Sequence, residues 1–347
     1  MGFAYHLYGL ALCSNAPLNG LDSLTSAPAS KIDQIDIHLG SEDAVQMSAQ
    51  FRGQWRPYQT KYEHTHIPSL WYVEKEDGVY LRFQYHAWLK THWVPSGEFI
   101  ISPKGSHVWA SWEPPLQFQD IQAILTGTIL GCVLRLRGVL CLHASSVAIN
   151  GAAVVIVGPK GSGKSTTAAS LTHAGCYSIA DDIVALTKKQ NQYFVEWGTP
   201  QLRLTPKSAD ILVQGANTLS PIWSGAPFAP NDKRLFDGRL SPDSTSPLPL
   251  AAIYILDQRE SSTISITPVS ASFAIQSLAT RMSSILLDKK QRQTEFIELG
   301  QIISNVPVRY VWRPDDMTAV LKIRDAILDN VQAILNTTNH ISHHDPN

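Results

Sequence analysis

The feature that most constrains this chain is a glycine-rich loop, Gly158-Pro159-Lys160-Gly161-Ser162-Gly163-Lys164-Ser165, which matches the pattern G-x-x-x-x-G-K-[ST] at every position. Ahead of it lies the near-continuous apolar run 152–157, which predicts a strand buried on both faces. Behind it, residues 165–174 predict a helix that Gly175 ends. Because a strand, loop and helix in this order place backbone N–H groups around phosphate oxygens, we expect the chain to bind a nucleoside triphosphate.

Each part of this loop has a defined task in phosphate binding. The glycines allow the backbone to turn its N–H groups inward. Lys164 is placed to reach the outer phosphates, and Ser165 carries a hydroxyl that can ligate Mg²⁺. The candidate nucleotide ligands are Gly158, Pro159, Lys160, Gly161, Ser162, Gly163, Lys164, Ser165 and Thr166.

Two adjacent carboxylates, Asp181 and Asp182, follow the next apolar run, 176–180. A strand–helix–strand unit runs its two strands in the same direction, so both strands end at the sheet edge where ligands bind. We therefore expect this pair to lie beside the phosphates. One carboxylate could hold Mg²⁺ while the other accepts the proton of an attacking hydroxyl. The alternative is a turn or a helix cap, positions that aspartate also favours.

A histidine, His143, lies on the predicted strand 140–149, just ahead of the loop strand. The Asn150-Gly151 pair between the two strands predicts a tight hairpin, because both turn residues need positive φ. Antiparallel pairing would place His143 near the phosphates and Asp181, where a carboxylate could orient its ring. A purely structural histidine is the alternative. The hairpin also predicts a mixed sheet rather than a doubly wound parallel one.

A further acidic position, Asp257, ends the apolar run 251–256 and is a rival metal ligand. The composition points away from other classes of protein: a formal net charge of -1 and a pI near 6.9 give no broad basic surface for nucleic acid or anionic membranes. The longest apolar run, 123–134, is too short to cross a bilayer. The four cysteines lack C-x-x-C spacing and fit reduced thiols, so we expect a cytoplasmic protein without a zinc site.

The order of patterns along the chain predicts two domains and a tail. Residues 1–115 are rich in short β-type runs, such as 71–73, 79–83 and 99–101, and predict a mainly β domain. Residues 116–335 hold the nucleotide loop and begin with a helix over 116–137. Residues 336–347 form a polar, histidine-rich tail, which we expect to fray.

The run from His143 to Asp182 resembles the catalytic domain of HPr serine kinases. The resemblance rests on His-Ala-Ser-Ser from His143, on Asn150-Gly151, on the glycine-rich loop and on Ile-Ala-Asp-Asp ending at Asp182. The chain looks most similar to the HPr-kinase-like proteins found beside genes for ribosomally made, modified peptides, including lasso peptides. Weaker matches lie at 8–10, 15–18, 134–138 and 198–204.

This resemblance implies an α/β fold similar to phosphoenolpyruvate carboxykinase: a mixed-sheet P-loop kinase domain, here preceded by a mainly β domain. It also implies use of ATP and Mg²⁺ and transfer of phosphate to a serine hydroxyl. Asp181 matches the family's general base, paired with the histidine matched by His143, which leaves Asp182 with Ser165 as metal ligands. In lasso-peptide members the acceptor is a serine at the precursor's C-terminus.

The chain departs from true HPr kinases in two ways. The loop that those enzymes use to bind HPr and to remove phosphate is not recognisable, and residues 1–115 do not resemble their regulatory domain. HPr is therefore not the expected acceptor. For the transition-state cation we expect Lys233 or Arg234, with Arg234 the chosen candidate, because this charged cluster falls in a long loop that could close over the site. A solvated charge pair is the alternative.

The sequence thus predicts a cytoplasmic serine kinase that phosphorylates a peptide or small protein, with no nucleic-acid or membrane partner. Two alternatives stay open. One is a nucleotide-gated binding protein that delivers a precursor without phosphorylating it. The other is a small-molecule kinase. Asp181 and His143 favour either kinase over the binding protein, since nucleotide binding alone needs no base.

Overall fold

The computed structural model describes residues 2–21, 34–58, 69–89, 92–213, 215–224, 232–241, 244, 246–282 and 289–342. Asn231, which precedes Lys233 and Arg234 in the long loop, and two tail histidines, His343 and His344, lie outside these residues. The apolar spacing of residues 271–287 predicts a helix, and the end of that range, 283–287, also lies outside them. The chain forms two compact units. Unit 1 comprises Met1–Gly138 and Pro221–Lys233, and unit 2 comprises Val139–Ser220 and Arg234–Asn347.

Unit 1 is built on a mixed sheet. Its strands are β1 (Phe3–Leu7), β2 (Leu10–Ser14), β3 (Gln34–Leu39), β4 (Arg56–Pro57), β5 (Ser69–Lys75), β6 (Gly78–Leu89), β7 (His92–Ile101) and β8 (His107–Trp112). Within the described ranges they pair in the order β1-β2-β3-β8-β7-β6-β5-β4. β3 runs parallel to β2 and β8, and the other neighbours are antiparallel. The β-type runs noted in the sequence fall within β5, β6 and β7.

Unit 1 also contains the helices α1 (Glu42–Gln50), α2 (Phe118–Ile124) and α3 (Leu130–Leu136), the last two joined by a π-helical turn, Leu125–Ile129. The sequence predicted α2 and α3 as part of the second domain, 116–335, whereas both helices belong to unit 1. Their contacts explain this placement. A Cβ at Gly105 would lie 2.8 Å from Val133 of α3, and the Asp120 carboxylate of α2 accepts a hydrogen bond from Ser224 N at 2.8 Å.

Unit 2 contains the remaining elements. Its strands are β9 (Leu140–Leu142), β10 (Ala144–Ile149), β11 (Ala152–Val157), β12 (Tyr177–Asp181), β13 (Val184–Lys189), β14 (Gln192–Val195), β15 (Leu202–Leu204), β16 (Arg234–Phe236), β17 (Leu248–Ile255), β18 (Ser265–Pro268) and β19 (Val308–Trp312). Its helices are α4 (Lys164–His173), α5 (Pro206–Val213), α6 (Ala271–Ala279), α7 (Lys289–Asn305) and α8 (Val320–Ser342).

Among the described residues of unit 2, nine strands form one mixed sheet. Seven pair in the order β12-β10-β11-β17-β14-β13-β9, and β19 pairs with β17 and β18. β17 runs parallel to both β11 and β19. The protein is therefore an α/β protein with mixed sheets, as the hairpin argument predicted. β15 and β16 form a separate two-stranded sheet.

The predicted hairpin before the nucleotide loop is confirmed. β10 and β11 pair antiparallel from Ala144↔Val157 to Ile149↔Ala152, and the turn residues Asn150 and Gly151 have φ of 50° and 80°. β12 pairs antiparallel with β10, so β11 and β12 run in the same direction with β10 between them. The ends of β11 and β12 thus lie at one edge of the sheet, which is where the candidate site forms.

One face of the unit 2 sheet packs against α4 and α8. Val154 and Ile156 of β11, Leu171 of α4, and Ile323 and Ile327 of α8 belong to one buried cluster. Burying each such side chain contributes about 1.5–3 kcal/mol, so this packing fixes α4 behind the loop. α8 continues through Ser342, past the start of the predicted tail at residue 336. Ile334 and Leu335, which pack on the same cluster, lie just before that point.

Two further findings bear on the sequence expectations. Within the described ranges, no helix is both long and apolar enough to cross a bilayer. The four cysteines are thiols that form no disulfide: Cys132 and Cys141 are buried, and Cys13 and Cys176 are partly buried.

Candidate active site

The glycine-rich loop connects the end of β11 to the start of α4, and its glycines are required for two different reasons. Gly158 has no room for a side chain, because a Cβ there would lie 2.0 Å from Leu256 O and 2.5 Å from Ser162 Oγ. Gly161 and Gly163 have φ of 83° and 96°, in the left-handed region that glycine adopts without strain. The loop backbone can therefore close tightly in front of the helix N-terminus.

Lys164, the first residue of α4, is held against this loop. Its side chain is buried, and Nζ donates hydrogen bonds to Gly158 O at 3.0 Å and Pro159 O at 3.3 Å. The ammonium group of Lys164 thus lies against the carbonyl groups of the first two loop residues. By contrast, Lys160 in the same loop is exposed.

Asp181, at the end of β12, lies beside the loop as the strand–helix–strand argument predicted. Its Oδ1 accepts hydrogen bonds from Ser145 Oγ at 2.5 Å and from the loop hydroxyl Ser165 Oγ at 3.0 Å. Its Oδ2 accepts a hydrogen bond from Arg203 N at 2.9 Å. The carboxylate is therefore fixed from three directions and is only 4% exposed.

Burial raises the pKa of Asp181 above its ordinary value, and the neighbouring Asp182 carboxylate raises it further. The hydrogen bonds from Ser145 and from the Arg203 backbone oppose this shift because they favour the ionised form. A carboxylate with a raised pKa is a stronger base, so the environment of Asp181 suits proton transfer.

Asp182 adopts a left-handed backbone conformation, with φ of 66°, which aspartate tolerates better than most residues other than glycine. Its Oδ2 lies 2.6 Å from Arg203 Nη1, and the two side chains are partly exposed, at 23% and 19%. The pair therefore presents one enclosed carboxylate and one that solvent reaches.

His143 lies at a break between two strands. β9 pairs with β13 and β10 pairs with β11, and between them the chain leaves both ladders so that His143 N donates to Arg281 O at 2.7 Å. The predicted continuous strand 140–149 is thus interrupted at the histidine. The ring Nδ1 lies 3.0 Å from Asp182 O, which brings His143 to the acidic pair as predicted.

The ring of His143 keeps solvent-exposed surface, yet protein atoms surround it enough for desolvation to lower its pKa. The Asp182 carboxylate opposes this shift, and the Lys164 ammonium adds to it. At neutral pH the ring is therefore neutral, with one nitrogen able to accept a proton. Bound phosphate would favour the protonated form.

Arg234, the predicted transition-state cation, begins β16 and pairs with Leu204. Paired residues share a sheet face, so Arg234 lies on the face opposite to Arg203, whose guanidinium contacts Asp182. The role of Arg234 stays a prediction, and Arg203 is the rival that the structure adds. Lys233 belongs to unit 1.

Sequence reasoning gave no role to four residues that contact the loop or the acidic pair. They are Ser145, Arg203, Arg259 and Arg313. Ser145 belongs to the His-Ala-Ser-Ser motif, and Arg203 lies in a stretch quoted for the family resemblance, so both had a weak signal. The other two follow β17 and β19 and carry no motif. The rival ligand Asp257 also lies after β17 and raises the pKa of Arg313, so it faces this arginine cluster.

The site has the donors that an ATP·Mg²⁺ complex requires. Ser165 and Asp181 offer oxygen atoms 3.0 Å apart, and Asp182 follows Asp181 in the chain. No group of three or more His, Cys, Asp or Glu residues suited to a metal occurs within the described ranges. Mg²⁺ needs none, because it binds through one or two carboxylates together with substrate phosphates.

Comparison with known proteins adds a distant likeness to solved structures. The sequence matches no protein-family model and no curated protein. Among solved structures, the chain is similar to the HPr(Ser) kinase/phosphatase from Coxiella burnetii, with 12% sequence identity and a TM-score of 0.32. The match covers 59% of this chain and 99% of that chain. A likeness this distant establishes no shared activity, so the chemistry must be argued from the contacts above.

Proposed function

We propose that this chain is an ATP-dependent kinase that transfers a phosphoryl group to a serine hydroxyl of a peptide or small protein. The observation that carries the proposal is the contact between Asp181 and the loop hydroxyl of Ser165, at 3.0 Å. It joins a group suited to removing a proton to a loop suited to binding phosphates. A protein that only binds nucleotide needs no such carboxylate.

The proposed reaction assigns a task to each group. The loop N–H groups and Lys164 hold the β- and γ-phosphates, and Ser165 and Asp182 would hold Mg²⁺, which neutralises phosphate charge when bound. The serine oxygen of the acceptor forms a bond to the γ-phosphorus as the bond to the β,γ-bridging oxygen breaks. The hydroxyl proton passes to Asp181, and ADP leaves.

His143 and Arg203 support this arrangement from the solvent side. Arg203 holds Asp182 through its guanidinium and Asp181 through its backbone N–H, so it fixes both carboxylates relative to each other. His143, held through Asp182 O, can take the proton onward from the site. Arg203 and Arg234 are the candidates for stabilising charge on the transferred phosphoryl group.

The direct test is phosphoryl transfer to a peptide library whose members end in serine, with matched members ending in alanine. We expect the serine peptides to gain one phosphate by mass spectrometry and to release an equal amount of ADP, and the alanine peptides to gain none. Phosphorylation of a metabolite alone would make the protein a small-molecule kinase. ATP binding without ADP release under all these conditions would contradict the kinase proposal.

We further propose that unit 1 recruits the acceptor as an extended peptide. Among the described residues β1 is an outermost strand of the unit 1 sheet, and its Phe3 is 42% exposed. An open strand edge can pair with an added strand through backbone hydrogen bonds, and side-chain pockets then give specificity. This edge offers both a pairing surface and an apolar anchor.

Recruitment by unit 1 predicts where a photoreactive acceptor peptide will cross-link. We expect labelled fragments from β1 or its surroundings, and loss of that label when the peptide backbone is N-methylated and cannot pair. Peptide mapping by mass spectrometry measures both. Cross-links confined to unit 2, or labelling of β1 that N-methylation does not change, would contradict strand addition.

A further inference from the structure

A buried arginine lies directly behind the phosphate loop. Arg313 follows β19, which runs parallel to β17 as β17 does to β11, so its backbone reaches the same sheet edge as the loop. Its Nη2 donates a hydrogen bond to Ser162 O at 2.6 Å, and its Nη1 would lie 3.8 Å from a Cβ at Gly163. The side chain is only 5% exposed. The guanidinium therefore contacts the loop at the peptide between Ser162 and Gly163.

The hydrogen bond from Arg313 to Ser162 O fixes the orientation of the next backbone N–H group, that of Gly163. In a planar trans peptide the C=O of Ser162 and the N–H of Gly163 point in opposite directions. Because Arg313 holds the oxygen, the Gly163 N–H is turned away from the arginine. Phosphate-binding loops work through such oriented N–H groups, so the orientation of this peptide bears directly on phosphate affinity.

The protein compensates the charge of Arg313 only in part: Asp315 and Asp257 favour its charged form, but the described residues give it no ion pair. Among the described residues, its buried Nε and the buried Ser162 Oγ have no hydrogen-bond partner. Burial, and secondly the nearby Arg259, lower the pKa of Arg313 to about 10, so the group stays charged at neutral pH. The acidic group Asp315 is engaged by Arg259 at 2.8 Å. A buried cation with incomplete pairing is costly, and a bound polyanion would offset that cost.

Arg259 contacts the same loop and serves as a control for Arg313. Its Nη2 donates to Gly161 O at 2.8 Å, one peptide before the bond that Arg313 holds. It is, however, 33% exposed and paired with Asp315. The two arginines make the same kind of contact and differ in burial and in charge compensation.

We propose that Arg313 is a positioning residue of the phosphate loop, which orients the Ser162–Gly163 peptide and supplies buried positive charge for the triphosphate. The inference rests on the proposed nucleotide binding and extends it to a residue outside the sequence motif. It assigns Arg313 no contact with the reacting atoms.

The test is calorimetric titration of Arg313→Met with ATP, ADP and AMP in Mg²⁺, next to the wild type, Arg313→Lys and Arg259→Met. We expect Arg313→Met to weaken ATP binding about tenfold or more, as loss of a charged hydrogen bond predicts, with a smaller loss for ADP and the smallest for AMP. Arg313→Lys keeps the charge and should lose less. Arg259→Met should also lose less, because its charge is exposed and paired.

The number of phosphates on the nucleotide distinguishes a role of Arg313 in phosphate binding from a role in protein stability. Only the first makes the loss of affinity larger for ATP than for AMP. A thermal melt of each variant shows whether it folds, and if Arg313→Met does not, Arg313→Gln replaces it with the same expectations. If the variant binds ATP like the wild type, or weakens ATP and AMP equally, the inference about Arg313 is overturned. A wild type that binds no ATP would overturn the proposed function itself.

Discussion

Replacing Lys164 with alanine is expected to abolish measurable phosphoryl transfer, with a fall in kcat on the order of 10²-fold or more. The substitution removes the ammonium group that lies against the loop carbonyls of Gly158 and Pro159. That group is placed to neutralise charge on the outer phosphates as it develops during transfer. ATP affinity should fall as well, because the phosphates lose a buried cationic partner.

Lys160→Ala is the matched control for this prediction. Lys160 lies in the same loop, but its side chain is exposed. Its replacement by alanine therefore removes the same charge from a position in solvent. We expect its kcat to stay within a few-fold of the wild type, because Lys160 would contribute to the loop through its backbone N–H, which alanine keeps, and not through its exposed side chain. Steady-state kinetics and a thermal melt of both variants make the comparison. A folded Lys164→Ala variant that transfers phosphate at the wild-type rate would show that the loop is not the site.

Much of this site follows from local sequence pattern. The loop, the strand before it and the helix after it are encoded in consecutive residues, and Gly175 ends the helix where its φ of 102° requires glycine. The Asn150-Gly151 turn fixes antiparallel pairing, and that pairing alone places His143 at the loop end of the sheet. These predictions succeed because each depends on contacts between residues close in the chain.

The groups that complete the site come from distant segments, where the sequence carried a weak signal at most. Arg203 reaches Asp182 from β15, and Arg313 reaches Ser162 from the end of β19. Their positions depend on which strands become neighbours, and a single sequence does not determine that order. Periodicity shows that a strand exists but not where it lies in the sheet.

The helix over 116–137 is a second case in which the sequence does not determine which part of the protein an element packs against. It contains the long apolar run 123–134, and the structure buries side chains along the helix, such as Ile121 and Val133. An apolar face does not specify its partner, however, so the sequence could not decide which unit covers it. The contact between Gly105 and Val133, which needs glycine for close approach, is visible only in three dimensions.

Substituting Asp181 with asparagine is expected to lower kcat by on the order of 10²-fold or more while ATP·Mg²⁺ binds about as in the wild type. Asparagine keeps the size of the side chain, and its single oxygen can still accept the hydrogen bond from Arg203 N while its NH₂ group donates to the Ser145 hydroxyl. It cannot take the proton of the acceptor hydroxyl. Asp182→Asn is the paired variant, for which we expect a higher Mg²⁺ requirement and a smaller loss at saturating Mg²⁺.

The pH dependence gives a second readout of the same assignment. Because burial and Asp182 raise the pKa of Asp181, the folded enzyme should lose its base at a higher pH than an ordinary carboxyl would allow. The rate should therefore fall as the pH drops through this raised pKa, and Asp181→Asn should remove that acidic limb. If Asp181→Asn keeps full kcat while Asp182→Asn loses it, the two carboxylates exchange roles, and the contact between Asp181 and Ser165 serves the metal instead. If neither loses kcat, positioning of the phosphates alone accounts for transfer, which the loose transition state of phosphoryl transfer permits.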